Sequence, residues 1–240
     1  MTPATLSVDQ IATGYGELQV LWDITLAVEP GEAVILLGAN GAGKTTLLKT
    51  LAGLIPTWRG TIRLGSDDLT HVPTNRRIRQ GLGFVTETGI IMNLTVEENL
   101  RVGGYHLSRP VLHQRMAELL EEFPDLRTKR KELAGSLSGG QRKMLAVAKA
   151  LMGRPQILLM DEPSAGLSPL FVKEVIALLK AHRGPDLGLL IAEQNVKFLE
   201  LATRVFVLDG GRIRFNGTVA ELEHNDAIRQ AYFGLTGPEF

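Results

Sequence analysis

Gly38-Ala39-Asn40-Gly41-Ala42-Gly43-Lys44-Thr45-Thr46 is the stretch from which the fold of this 240-residue chain is read. It fits the pattern G-x-x-x-x-G-K-[ST], and its flanks supply the context that pattern needs. Ahead of it, Ala33-Val34-Ile35-Leu36-Leu37 reads as a buried strand. After it, Leu47-Leu48-Lys49-Thr50-Leu51 reads as a helix whose first turn is Lys44 to Thr46. Strand, glycine loop and helix start together predict an anion socket. Glycines let backbone N–H groups turn inward, and the helix N-terminus adds partial positive charge. Lys44 is expected to reach the β- and γ-phosphates of a nucleoside triphosphate, and the Thr45 hydroxyl to ligate Mg²⁺. A chance glycine turn rarely carries Lys and Thr at these offsets between a strand and a helix.

Bulk properties narrow the classes. A chain of this length can bury roughly 70–75% of its unfolded surface in one core, so no covalent staples are needed. It has no cysteine, which excludes disulfides and thiolate metal sites. Formal net charge is zero, which argues against a nucleic-acid partner held by bulk electrostatics. No apolar run approaches the roughly 18–20 residues of a membrane span, and Met1 to Gln10 lacks the marks of a signal peptide. The expectation is a soluble, cytoplasmic chain that meets a membrane only through a partner.

Taken in order, Leu6 to Thr13 and Gln19 to Val28 read as strands, and Glu29-Pro30-Gly31-Glu32 as a turn. Tyr15, between them, is either a strand-end aromatic or a nucleotide contact. Gly60 to Leu64 and Gly81 to Val85 look like further strands. From Thr95 to Arg127 the pattern is helical, with Met116, Leu119, Leu120 and Phe123 recurring until Pro124. This block, with a polar loop from Arg127 to Glu132, reads as a helical subdomain inserted into an α/β core. Ser168-Pro169 starts another helix, with Val172, Val175, Ile176 and Leu179 on its apolar face. Leu189 to Ala192 is a buried strand ending at Glu193-Gln194-Asn195. Asp209-Gly210-Gly211 marks a hairpin. Thr218 with Glu221 caps a last helical stretch predicted to run to Tyr232, before a tail from Gly234.

Two further stretches carry chemistry. Ser138-Gly139-Gly140-Gln141 precedes an amphipathic helix bearing Met144, Val147, Ala148 and Leu151. Ser138 and Gln141 have capping-box spacing, while the paired glycines equally suit a second anion socket. Ile157-Leu158-Leu159-Met160-Asp161-Glu162 is a buried strand ending in two carboxylates. Ligands of α/β sheets lie outside the carboxyl ends of the strands, so both acids belong beside the phosphate loop. Asp161 suits a direct or water-mediated Mg²⁺ contact, and Glu162 a base for water.

The phosphate loop, Leu137-Ser138-Gly139-Gly140-Gln141 and the strand ending Asp161-Glu162, with a helical insert between, resemble the ABC ATPases. The likeness spans essentially the whole chain. Thr95 to Leu100, Asp161 to Pro169 and Glu193 to Val196 look most like the second ATPase subunit of branched-chain amino acid importers, with urea or short-amide importers closely similar. The resemblance implies one α/β ATPase domain with a phosphate-loop core (residues 1–86 and 153–240), an antiparallel N-terminal β subdomain, and a helical subdomain (residues 87–152). It implies ATP and Mg²⁺ as cofactors and separate integral-membrane permease subunits. A related second ATPase, or a second copy, would face this one. A solute-binding protein would be reached indirectly, no nucleic acid would bind, and the place of work would be the cytoplasmic face of the membrane.

The same resemblance assigns roles by position. Tyr15 would stack on adenine, and Gly38, Ala39, Asn40, Gly41, Ala42, Gly43, Lys44, Thr45 and Thr46 would hold the phosphates. Ser138, Gly139 and Gly140, with Gln141, would cap the γ-phosphate of ATP on the facing subunit. Glu87 stands where the family usually has Gln, linking Mg²⁺ and the attacking water to the permease. Gln194 stands where most relatives carry a His that contacts the γ-phosphate, and Ser168 replaces a usual Asp. Glutamine cannot carry the charge a histidine can, which motivates a rival reading as an ATP-dependent switch with little turnover. Another rival, a soluble relative acting on DNA or ribosomes, sits badly with neutral charge and no basic arm. Glu87 to Asn93 is expected to meet a permease helix, with the aliphatic run Ile90-Ile91-Met92 as an exposed contact.

Overall fold

The computed structural model describes residues 3–86, 89–225 and 228. The chain begins with Leu6–Tyr15 (β1) and Leu18–Val28 (β2), an antiparallel pair, followed by Ala33–Leu37 (β3) and Lys44–Leu51 (α1). Arg59–Leu64 (β4), Asp67–Asp68 (β5) and Thr74–Arg79 (α2) come next, then Leu82–Val85 (β6). The helical block expected from Thr95 to Arg127 is three helices: Val96–Gly103 (α3), Arg109–Glu122 (α4) and Pro124–Thr128 (α5). It breaks at Gly104 and again at Pro124, which opens α5 because proline suits a first turn and not a helix interior. Gly139–Leu151 (α6), Ile157–Asp161 (β7), Pro169–His182 (α7) and Gly188–Glu193 (β8) lead to the hairpin Arg204–Asp209 (β9) and Arg212–Gly217 (β10), and to Val219–Glu223 (α8). The predicted run of that last helix to Tyr232, and the tail, lie outside the described residues apart from Ile228.

Two sheets result. β2-β1-β4-β5 is antiparallel, and β10-β9-β3-β8-β7-β6 is parallel except for the β9–β10 hairpin. β3, β7 and β8 are buried at every residue, which is why they read as continuous apolar runs. Side chains alternate between two cores. Val34, Leu36, Leu159 and Leu190 face α1 and the antiparallel sheet. Ile35, Leu37, Leu158 and Ile191 face α6, α7, Met116 and Leu119 of α4, and Phe123 just beyond it. The inserted helices therefore share one buried cluster with the main sheet.

The helix behind the phosphate loop is anchored at its far end by Arg77, an arrangement its sequence did not disclose. Arg77 is 2% exposed and donates to Thr50 O at 2.9 Å, Leu51 O at 2.6 Å, Thr70 O at 3.1 Å and Val72 O at 2.7 Å. A guanidinium on the last carbonyls of α1 satisfies orphan acceptors and matches the negative end of the helix dipole. Burial pulls its pKa down to about 10, and it remains a cation at neutral pH.

Candidate functional site

The loop between β3 and α1 is gripped from behind and open in front. A Cβ on Gly38 would lie 2.4 Å from Leu208 O, and one on Gly43, whose φ is 109°, would lie 2.7 Å from Leu21 Cδ2. The β9–β10 turn closes the rear: Gly211 N donates to Ala42 O at 3.0 Å, and Trp22 N donates to Gly211 O at 2.9 Å. Gly41, at φ 81°, has no atom within 4 Å of a would-be Cβ, and Ala39 and Asn40 are exposed. The loop is thus open to solvent ahead of the α1 N-terminus, a helix start that suits phosphate oxygens.

Side chains converge on that mouth. Lys44, 4% exposed, donates to Gly38 O at 2.8 Å and Ala39 O at 3.2 Å, and its Nζ is 3.3 Å from Glu162 Oε1. The Thr45 hydroxyl donates to Asp161 Oδ1 at 3.0 Å. Burial pushes the Asp161 carboxyl above its usual range, against the pull of the Thr45 hydrogen bond. A hydroxyl and a buried carboxylate side by side fit Mg²⁺, which takes few protein ligands and completes its shell with phosphate and water oxygens. Tyr15 is half exposed, with its hydroxyl 3.4 Å from Thr46 Oγ1. Glu162 and Gln194 line one cleft with Ser164, Ala165, Glu193 and Asn195.

Glu162 has a φ of 45°, a left-handed conformation that costs of order 1–3 kcal/mol outside glycine. Its own backbone is held on both sides. Glu162 N donates to Ala192 O at 2.9 Å, and Lys143 Nζ, on buried α6, donates to Glu162 O at 3.4 Å. Strain of this kind gathers at functional sites, because the surroundings must over-determine it.

Ser138 to Gln141 lies elsewhere. Gly139 lines a second cavity with Gly166 and Ile90, and Ala165 borders both it and the Glu162 cleft. Both capping-box bonds form, Gln141 N to Ser138 Oγ and Ser138 N to Gln141 Oε1, each at 3.2 Å. The two glycines differ. Nothing lies within 4 Å of a Cβ on Gly139, whereas one on Gly140 would sit 2.2 Å from Phe171 Cδ1 of α7. Gly140→Ala should therefore lower thermal stability by about 1–3 kcal/mol through overpacking, while Gly139→Ala leaves it unchanged or slightly raised. Equal melting temperatures for the two variants would refute this division.

Glu87 falls outside the described residues. In the stretch after it, Ile91 and Met92 are 43% and 47% exposed, but Ile90 is partly buried against the core, so the expected apolar run shows two residues rather than three. Asn99, fully buried, fixes this loop: its side chain accepts from Ile91 N and donates to the carbonyls of Ile91, Leu94 and Thr95. Reading by motif passed over Asn99, Lys143 and Glu193, although Asn99 and Glu193 stand inside stretches quoted for their resemblance.

Comparison with known proteins decides the family. The ABC transporter family model matches residues 21–165, more than half of the chain and including both the phosphate loop and the Asp161-Glu162 strand end. The chain belongs to the ABC transporter family. It is 40% identical over 231 residues to the high-affinity branched-chain amino acid transport ATP-binding protein BraG of Pseudomonas aeruginosa, covering 95% of this chain and 99% of that protein. It is 36% identical over 229 residues to a probable branched-chain amino acid transport ATP-binding protein, LivF, of Archaeoglobus fulgidus, covering 94% and 97%. The crystal structure of the ADP conformation of an ATP-binding cassette of an ABC transporter superposes with a TM-score of 0.85 at 23% identity, covering 98% of this chain and all of that one. This ABC transporter subunit thus has the ATPase cassette fold, a phosphate-loop α/β core, and its activity is ATP hydrolysis coupled to transport. Among its described residues no helix is long and apolar enough to cross a membrane.

Proposed function

We propose that this subunit drives import of branched-chain amino acids by hydrolysing ATP at the cytoplasmic face of a permease made of separate membrane chains. The observation that carries the solute reading is likeness over nearly the full length to two ATP-binding proteins named for branched-chain amino acid transport. The residues support a division of labour. The loop amides and Lys44 hold the phosphates, Tyr15 offers its half-exposed ring to adenine, and Thr45 with Asp161, joined by Glu87, would hold Mg²⁺. Bound there, Mg²⁺ would neutralise charge on the phosphate oxygens. Glu162 takes a proton from the attacking water, and Gln194, in the same cleft, orients water and γ-phosphate by hydrogen bonds.

Ser138, Gly139, Gly140 and Gln141 complete the site of a facing ATPase, a related chain or a second copy, a reading supported by the exposure of Ser138 and Gly139 at the start of α6. Residues 87–152 act as the helical subdomain. Exposed Ile91 and Met92 form an apolar surface for a permease helix. A solute-binding protein delivers the amino acid on the other side.

The test is co-expression with the membrane subunits, followed by uptake of leucine, isoleucine and valine into vesicles loaded with ATP. Uptake should accompany ATP turnover, and Ile91→Glu should abolish uptake while ATP affinity stays within about twofold. Uptake of urea or short amides in place of branched-chain amino acids would overturn the solute assignment. Full transport by Ile91→Glu would overturn the docking surface.

A further inference from the structure

Glu193 ends β8 beside the reacting cluster, and no role assigned above uses its carboxylate. It is 1% exposed and receives four hydrogen bonds. Oε1 accepts from Ser164 N at 2.7 Å, and Oε2 accepts from Ser164 Oγ at 2.9 Å, Gln194 N at 3.0 Å and Asn195 N at 3.1 Å. Two of these donors belong to the turn that follows Glu162. The other two belong to the turn that carries Gln194. One buried anion therefore ties together the two turns whose side chains share a cleft.

The arrangement calls for a carboxylate. An ionised carboxyl only accepts, so it can satisfy four donors at once, whereas an amide must turn an NH₂ toward some of them. Burying that charge is tolerable because charge-assisted hydrogen bonds replace its water. The same tie bears on the strained backbone at Glu162. Ala192, immediately before Glu193, accepts from Glu162 N at 2.9 Å, so β8 fixes the turn at Glu162 and again at Ser164. A left-handed glutamate clamped at both sides cannot relax by rotating its peptide.

We propose that Glu193 is the positioning residue of the hydrolytic step, holding the Glu162 turn and the Gln194 turn in one fixed relation. This rests on the reading of that cleft as the place where water is activated. Among the described residues the Glu193 carboxylate makes no hydrogen bond to the phosphate loop or Lys44, so its loss should act on turnover and spare ground-state binding. Displacement of a reacting group by about 1 Å can cost about 10²-fold in rate.

The experiment compares the full-length chain with Glu193→Gln, Ser164→Ala and Glu162→Gln, measuring Mg-ATP turnover, equilibrium affinity for a fluorescent ATP analogue, and melting temperature. Glu193→Gln should lower kcat about 10–100-fold with nucleotide affinity within about threefold of the parent. Ser164→Ala, which removes one donor of the four from a part-exposed residue, should lower kcat about twofold to tenfold with affinity unchanged. It serves as the decisive variant if Glu193→Gln does not fold. A merely structural Glu193 would move affinity and melting temperature together with kcat, and that result overturns the inference. Parent kcat in a folded Glu193→Gln, or in Ser164→Ala where that variant decides, overturns it too. An active Glu162→Gln defeats the assignment of the base alone, whereas an active Glu193→Gln beside an inactive Glu162→Gln defeats the positioning role alone.

Discussion

Lys44→Ala should weaken ATP binding about 10–150-fold and bring hydrolysis close to background, because a charge-assisted hydrogen bond carries about 1.5–3 kcal/mol. The ammonium is 4% exposed and already held over the loop by the carbonyls of Gly38 and Ala39, so it meets phosphate with little further ordering. It also lies 3.3 Å from Glu162, so phosphate held in the loop and a base at Glu162 would share one cation. Its loss should then act twice: once on binding, and again on charge developing on the transferred phosphoryl group. ADP should lose less affinity than ATP, since it lacks the γ-phosphate. Nucleotide titration and phosphate release check the pair of effects, and Lys44→Met, which keeps the aliphatic stem, separates charge from packing. Parent rate and affinity in Lys44→Ala would show that the loop does not hold phosphate in this way.

The phosphate loop, β3 and the β9–β10 hairpin were legible in the sequence because each is specified by neighbours in the chain. Gly43 at φ 109° and Gly41 at φ 81° adopt backbone conformations that favour glycine, so their spacing carries the geometry directly. The Ser138–Gln141 box was legible for the same reason: its two bonds span three residues. Nor were its two readings exclusive. The side chains cap α6, while the exposed Gly139 leaves the helix start open.

What stayed hidden depends on residues brought together from far apart. Arg77 reads as one basic residue in Thr74–Arg79, yet it caps a helix 26 residues earlier. Glu193 reads as a polar end to β8, yet its carboxylate binds Ser164, 29 residues upstream, as well as its own turn. Asn99 lies within a capped helix start, and a helical pattern gives no reason for it to be fully buried. Phe171 and Gly140 meet only when α6 and α7 dock. In each case the partner is set by sheet order and helix docking, which periodicity does not encode. The loop pattern and the acidic strand end put Lys44, Thr45, Asp161 and Glu162 in one region, and the resemblance added Tyr15 and Gln194. The structure joins Tyr15 to Thr46, Thr45 to Asp161 and Lys44 to Glu162 through direct contacts.

Glu162→Gln should lower hydrolysis about 10²–10⁴-fold, the usual share of a positioned general base. Glutamine keeps the volume and one acceptor, so the left-handed backbone held by Ala192 O should survive, and ATP should still bind on Lys44 and the loop. A subunit that binds ATP and cannot cleave it should accumulate in any state that ATP stabilises. If Ser138, Gly139 and Gly140 close over the γ-phosphate of a facing copy, that state is a dimer seen with Mg-ATP and lost with ADP. Gly139 has the room for such an approach, since nothing stands within 4 Å of its would-be Cβ. Ser138→Arg added to Glu162→Gln places a long cation at this exposed cap and should abolish the dimer while leaving ATP affinity of the monomer within about twofold. Sedimentation of both variants with each nucleotide reads the result. Where this chain pairs with a related ATPase, the same comparison is made on the co-expressed pair, because a weak self-association would otherwise hide the effect. Hydrolysis at the parent rate by Glu162→Gln would remove the base from Glu162, and an ATP-dependent dimer that withstands Ser138→Arg would remove the facing subunit from the site.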